Sequence, residues 1–279
     1  MNRGLKRSSR IYYAIVFTFL YIPIFVLIFF SFNQSKSRNV FTGFTLKWYK
    51  ELFSDEMILS ALGITLLVAF VSSIIATVIG TMASVGIMSM KKAPRKIVMD
   101  ITYIPNINPE IVTGVSMLLL FTVIRTLLGS IGVNFEIGLG TLIIAHVTFN
   151  LPYIIISVNP KLRQLDPNLV EAAMDLGCTR TQAFFKVVVP EIMPGILTGF
   201  LMAVTYSVDD FVISYFTSGT VQNLSIAVYA MTRRKVSPEI NALSTLIFVI
   251  VLSVLLIRNI VEIKKEKSVQ RQYAREIRT

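Results

Sequence analysis

Two adjacent carboxylates, Asp209 and Asp210, stand in the middle of a strongly apolar stretch, "AVTYSVDDFVISYF" (203–216). An ionisable side chain in such a setting costs about 2.5–3.5 kcal/mol on insertion into a bilayer, so its presence marks a function. Neighbours on a helix point about 100° apart, and the two acids therefore cannot share a face. Asp210 groups with Tyr206, Ser207 and Ser214 in a polar stripe suited to a lined cavity. Asp209 groups with Thr205, Ile213 and Phe216, a less polar surface suited to meeting a second subunit. The plainer alternative for the pair is a packing hydrogen bond or a cap at a helix break. A third acid, Glu110, follows "IPNINP", whose Pro105 and Pro109 should interrupt a helix. Two readings stand side by side there: a broken helix lining a cavity, or an ordinary helix start whose acid favours the dipole. Trp48, in "TLKWYKELF", combines with Leu52 and Phe53 into an apolar face. It serves either as an interfacial aromatic or as a ring that holds an ammonium by cation–π attraction. Carboxylates with aromatics along one path are the chemistry of a site for an organic polycation.

Other chemistries have no footing. No segment reads G-x-x-x-x-G-K-[ST], so a phosphate-cradling loop is not expected. His146 is the only histidine, and its apolar context favours a hydrogen-bonded packing role over a base or ligand. No nucleophile–base constellation accompanies it, and the chain is not expected to be an enzyme. A single cysteine, Cys178, leaves no internal disulfide and no cysteine metal cluster to build. A net charge of +11 does not imply nucleic acid here, because the basic residues fall in the connections between apolar runs.

These runs are the elements that must position the acids. The composition is 54% hydrophobic and 15% charged, with mean hydropathy +0.68. Ordinary soluble domains are about 25% charged. Six spans are expected at approximately 11–32, 59–89, 101–125, 138–158, 196–218 and 240–262, each near the roughly 20 residues a bilayer core requires. The first is too long for a signal-peptide core, and no A-x-A site follows it. Lys and Arg cluster in the N-terminal tail, at 91–96, in the connection at 159–195 and in the basic tail at 263–279. By the positive-inside rule these regions, and both termini, are cytoplasmic, although Arg233, Arg234 and Lys235 then lie outside against the trend. The loop from Asn33 to Ile58 falls on the outer side. In the second span, Ala69, Ser73 and Thr77, and Ala76, Gly80 and Ser84, recur every fourth residue, which suits close helix packing in lipid.

The connection at 159–195 contains "EAAMDLGCTRTQAFFKVVVPEIMP", too polar to span. Asp166-Pro167 reads as an N-cap with proline at the first helical position. Leu169, Ala172, Ala173 and Leu176 form one stripe of a short amphipathic helix, and Gly177 suits a left-handed cap. Thr179 starts a second short helix ending near Pro190. The predicted unit is a cytoplasmic helical hairpin with alanines at its contact surface.

Glu171-Ala172-Ala173, three residues, Gly177, nine residues, then Val187-Val188-Val189-Pro190 resembles the E-A-A loop of ABC importer permeases, with valines in place of the usual Ile and Leu. "YIPI", "GFTLKWY", "PEIV", "SVDDFVISYF" and "VSPEINAL", in this order, are similar to the permeases of spermidine/putrescine importers. The resemblance implies an all-α, six-span type I ABC importer permease fold with cytoplasmic coupling helices, in a bacterial cell membrane. It implies that Glu171, Ala172, Ala173, Leu176 and Gly177 couple to a cytoplasmic ABC ATPase dimer. The further implied partners are a sister permease subunit, an extracellular or periplasmic substrate-binding protein and a polyamine substrate. ATP and Mg2+ then belong to the partner ATPase, and this chain binds no cofactor. The proposed path residues are Asp209, Asp210, Ser207, Tyr206, Glu110 and Trp48. The alternatives are a permease for ferric ion or thiamine, or an ion-coupled secondary transporter using Asp209 and Asp210. The latter leaves the hairpin unexplained.

Overall fold

Long apolar runs without charge fold as helices in lipid because every backbone polar group is then satisfied within the segment. The computed structural model describes residues 3–35, 40–166, 168–233, 238–250, 252, 253 and 256. It is all-α among these residues, apart from an isolated bridge between Asn33 and Phe44. The helices are α1 (Arg3–Ser31), α2 (Lys47–Leu52), α3 (Glu56–Ser89), α4 (Lys92–Ile107), α5 (Glu110–Ser130) and α6 (Leu139–Gln164). They continue with α7 (Leu169–Asp175), α8 (Arg180–Ala183), α9 (Val189–Asp209), α10 (Val212–Thr217) and α11 (Leu224–Arg233). A shorter apolar helix, α12, covers Pro238–Ile250.

Among the described residues, five helical runs are long and apolar enough to cross a membrane: Ile11–Ser31, Glu56–Ser89, Glu110–Ser130, Leu139–Gln164 and Arg180–Asp209. Most of the remainder of the expected sixth span, and the tail at 263–279, lie outside the described residues.

Three expectations are corrected. The third span, expected over 101–125 with both of its prolines interrupting it, breaks at one of them only: Pro105 lies inside α4, which stops at Ile107, Asn108 is extended (φ −69°, ψ 141°), and Pro109 leads into α5. Pro109 disfavours the helical region for the residue before it, so the break falls at Asn108. The fifth span is not continuous over 196–218 either. Its helix ends at Asp209, Asp210 is extended (φ −62°, ψ 123°), and α10 starts afresh. Finally, the hairpin's second helix does not stop near Pro190. It runs from Arg180 to Asp209 through a π-turn at Phe184–Val188, where the Val189 N–H donates to the Phe184 carbonyl. The proline follows a turn that has already left α-helical hydrogen bonding, so its missing N–H does not stop the helix.

The described residues fall into two compact units, one drawn from 1–56 and 230–279, the other Met57–Tyr229. In the second unit, α6 packs along α9. A side chain at Gly195 would sit 2.8 Å from the Ser157 carbonyl, so the two backbones nearly touch. Ala76, Ile154, Val158, Val188, Ile192 and Ala203 form the buried core beside that seam. The small stripe of α3 faces inward: Ala69, Ser73, Ala76, Gly80 and Ser84 are all buried. Arg95, expected only as an orienting charge, folds back on the end of α3. Its guanidinium donates to the carbonyls of Ile87 (3.2 Å), Met90 (2.9 Å) and Met88, at and just past the C-terminal end of α3.

Candidate functional site

The hairpin is built by local rules. Asp166 Oδ1 accepts the Asn168 N–H at 2.9 Å, although regular helix begins only at Leu169. Pro167 lies outside the described residues. At the other end of α7, the Gly177 N–H donates to the Met174 carbonyl (2.9 Å) and the Cys178 N–H to Ala173 (3.1 Å). This pair of bonds requires a left-handed residue, and Gly177 has φ +87°. Thr179 then caps α8: its hydroxyl accepts the Gln182 N–H at 3.3 Å, and Gln182 Oε1 accepts the Thr179 N–H at 3.0 Å.

The hairpin's faces differ from the expected stripe. Only Ala173 of that stripe is buried, while Val170 beside it packs on the core around Val188. Glu171, Ala172 and Met174 point outward, Leu176 is 88% exposed and Phe185 is 64% exposed. The short α7 sits on the π-turn and α8, which covers one side only. The outer side is thus a small apolar surface with an acid at its edge, of the kind that marks an interaction site.

The break in the fifth span is held by a buried polar network. Asp210, 7% exposed, accepts the N–H groups of Ile213 (Oδ1, 3.2 Å) and Ser214 (Oδ2, 2.7 Å), and its Oδ2 also accepts the Ser214 hydroxyl at 2.8 Å. These are the donors that the first turn of α10 leaves unpaired. The same hydroxyl oxygen accepts Asn223 Nδ2 at 2.8 Å and lies 3.0 Å from His146 Nε2. With its proton given to Asp210, Ser214 Oγ has two acceptor positions left, and they are filled when His146 carries its proton on Nε2. His146 Nε2 is also 3.6 Å from Asp210 Oδ2, and His146 Nδ1 has no partner among the described residues. The far end of α10 is tied down as well. Thr141 Oγ1 donates to the Thr217 carbonyl at 2.7 Å, and Gly219 (φ +59°) turns so close to α6 that a Cβ would meet the Ile137 carbonyl oxygen at 2.1 Å.

Asp210 therefore does not line a cavity with Tyr206, as a continuous helix would require. Its side chain is spent as a cap at a helix break, the plainer alternative for the pair. Ser207 is also displaced from the expected polar stripe. It is buried, accepts Asn150 Nδ2 at 2.8 Å and lies 3.4 Å from Ser72 Oγ, a helix-packing contact. Trp48, in the other unit, is only 2% exposed. Its Nε1–H donates to the Asn33 carbonyl at 2.7 Å, and Lys47 Nζ lies 5.5 Å from its ring. Leu52 is buried with it and Phe53 alone remains open, so the expected open outer face is not formed.

What stays open is a different set. Asp209 ends α9 and Glu110 begins α5, both exposed, and Glu110 lies close enough to feel the charges of Asp210 and Asp209. Tyr206 is 40% exposed, and its ring stacks on Tyr153 of α6 at 4.4 Å between centroids. Phe149 stands edge-on to both rings, 5.4 Å from Tyr153 and 6.3 Å from Tyr206. Two helix breaks thus present two carboxylates beside an aromatic shelf. The sequence reading missed Tyr153, His146 as a partner of the break, Asn150 and Asn223. Asp210 itself carried a usable signal, since a carboxylate three residues before an N–H is a common helix-start pattern.

Comparison with known proteins follows the same lines. The pattern of the family described as binding-protein-dependent transport system inner membrane component matches residues 76–263. The putrescine transport system permease protein PotI of Escherichia coli (strain K12) is 41% identical over 234 residues, covering 83% of this chain and 82% of that protein. The spermidine/putrescine transport system permease protein PotC of Haemophilus influenzae (strain ATCC 51907 / DSM 11121 / KW20 / Rd) is 30% identical over 262 residues, covering 94% and 98%. Among solved structures, a bacterial ABC transporter involved in the import of the acidic polysaccharide alginate matches with TM-score 0.70 at 18% identity, covering 92% of this chain and 96% of that one. That last likeness is one of fold.

Proposed function

Since the chain belongs to the family of binding-protein-dependent transport system inner membrane components, we propose that it is the permease subunit of an ATP-driven importer of polyamines such as spermidine and putrescine. It is a multi-pass membrane protein. In this reading it lies in a bacterial cell membrane with both termini and the hairpin cytoplasmic, following its basic connections. The partners are a sister permease, a cytoplasmic ABC ATPase dimer and an external substrate-binding protein. No nucleic acid takes part. The chain is not itself an enzyme, and ATP and Mg2+ reside on the ATPase.

The hairpin is the coupling element. Leu176, Ala172 and Glu171 meet the ATPase, while Ala173 and Gly177 act from behind by seating α7 and closing it. Such a division lets nucleotide-driven motion of the ATPase reach α9 as a push on one end of a helix, because α8, the π-turn and α9 are continuous.

Polyamine transport is supported by one observation above the others: two exposed carboxylates, Asp209 and Glu110, at the ends of broken helices beside an aromatic surface. A cation of two or three charges loses much of its hydration in a narrow path, and fixed carboxylates replace part of it. Broken helices are tolerated at membrane depth where they line such a path. Asp210 serves this site indirectly by holding the break that places Asp209. The test is polyamine uptake by the reconstituted importer. Asp209→Asn should lower uptake at least tenfold with the complex assembled, and Asp209→Glu should lose less. Wild-type uptake by Asp209→Asn at normal abundance would remove Asp209 from the path.

A further inference from the structure

The stacked pair Tyr153–Tyr206 plays no part in the fold's polar networks. Neither phenol oxygen has a hydrogen-bond partner among the described residues, although buried or half-buried tyrosines usually find one. The pair bridges α6 and α9 with planes 26° apart, and Phe149 braces it edge-on. Tyr153 is half-buried behind, and Tyr206 is the exposed member. The result is one aromatic face whose orientation is fixed by two rings packed against it. Asp209 follows Tyr206 by three residues on the same helix, and Glu110 begins α5.

We infer that Tyr206, backed by Tyr153, is a specificity-determining shelf for the methylene segments of an extended organic amine. This rests on the polyamine reading above and adds to it a means of choosing among amines. Carboxylates respond to the charge of a cation but not to the methylenes that separate its amines. A flat, pre-oriented ring face does, for two reasons. Methylenes gain by leaving water against it in proportion to their number, and an alkylammonium is attracted to the face of a ring. An inorganic cation, with no methylenes and a tightly held hydration shell, gains little from the shelf. A longer amine lays more methylenes on the rings than a short one, so the shelf favours the longer amine during passage.

The importer reconstituted in vesicles with its ATPase, sister permease and binding protein tests this. Amine transported per ATP hydrolysed is measured separately for putrescine and spermidine, beside the abundance of assembled complex. Tyr206→Phe and Tyr153→Phe keep the rings, and both should stay within twofold of wild type for both amines. Tyr206→Leu should lose about fivefold or more for the triamine and clearly less for the diamine, with Tyr206→Trp restoring the triamine. Should the leucine variant fail to assemble, the phenylalanine and tryptophan variants still decide. Loss of triamine transport in Tyr206→Phe would show that the hydroxyl, not the ring face, matters and would overturn the shelf. Equal losses for the two amines in Tyr206→Leu, or none, would overturn it while leaving polyamine import standing. A wild-type complex that moves neither amine would remove the polyamine reading and the shelf together.

Discussion

The coupling hairpin and the break in the fifth span are both polar interruptions between apolar helices, but they are held in opposite ways. Every bond that shapes the hairpin joins residues at most five apart: Asp166 to Asn168, Thr179 to Gln182, Cys178 to Ala173. The break is held across the bundle. Asp210 reaches Ser214 nearby, but Ser214 is fixed by Asn223 and by His146, 68 residues away in sequence. Locally closed structure can be moved as a unit by whatever docks on it. Structure closed by several elements resists such movement and sets the position of its neighbours. The hairpin is therefore suited to transmit motion, and the break to hold a geometry.

That contrast fails first if the buried network is dispensable. Asp210→Ala leaves the N–H groups of Ile213 and Ser214 and the Ser214 hydroxyl without their acceptor in a buried setting. At about 1–3 kcal/mol for each unsatisfied group, the expected loss is about 3–5 kcal/mol after partial relaxation. A large fall in the thermal midpoint of the purified complex checks it. Hairpin changes should cost far less. Gly177→Ala meets no atom within 4 Å, so only the left-handed backbone is strained, by about 1–2 kcal/mol. Thr179→Ala removes one cap and should cost about 1 kcal/mol, visible as faster hydrogen exchange confined to α8. Leu176→Asp should leave stability within about 0.5 kcal/mol, because the side chain is already in solvent. It should nevertheless reduce co-purification of the ATPase. Unchanged co-purification would mean that the exposed apolar face is not where the ATPase docks.

The same contrast decides what the sequence could reveal. Thr179 as a helix start and Gly177 as a left-handed cap were readable because each signal and its partner share one short segment. Five apolar helical runs were readable from length and hydropathy, but the exact places where the third and fifth spans break were not. The face of α7 was misjudged because apolar periodicity says which residues share a side. It does not say which side the core takes, and the core took Ala173 with Val170 rather than Leu176. The polar stripe drawn through Asp210, Tyr206 and Ser207 holds only if one helix runs through Asp210. Once the chain turns extended at Asp210, the angular argument fails, and the roles of the two acids exchange. The pairing of Tyr153 with Tyr206 joins two helices whose register no local pattern records. The burial of Trp48 has no local signal, because its hydrogen bond to the Asn33 carbonyl depends on how the loop after α1 folds.

The division of labour between two adjacent aspartates is the centre of this account, and one paired measurement reaches it directly. Asp209→Asn and Asp210→Asn are compared in the reconstituted importer for thermal midpoint and for polyamine uptake per assembled complex. Asp209→Asn should keep the wild-type midpoint and lose most uptake, since its side chain is exposed and makes no hydrogen bond or ion pair among the described residues. Asp210→Asn should lower the midpoint, since an amide cannot offer both oxygens to the three donors it must satisfy. The contradicting result is the exchange of these outcomes: Asp210→Asn as stable as wild type but inactive, with Asp209→Asn transporting normally.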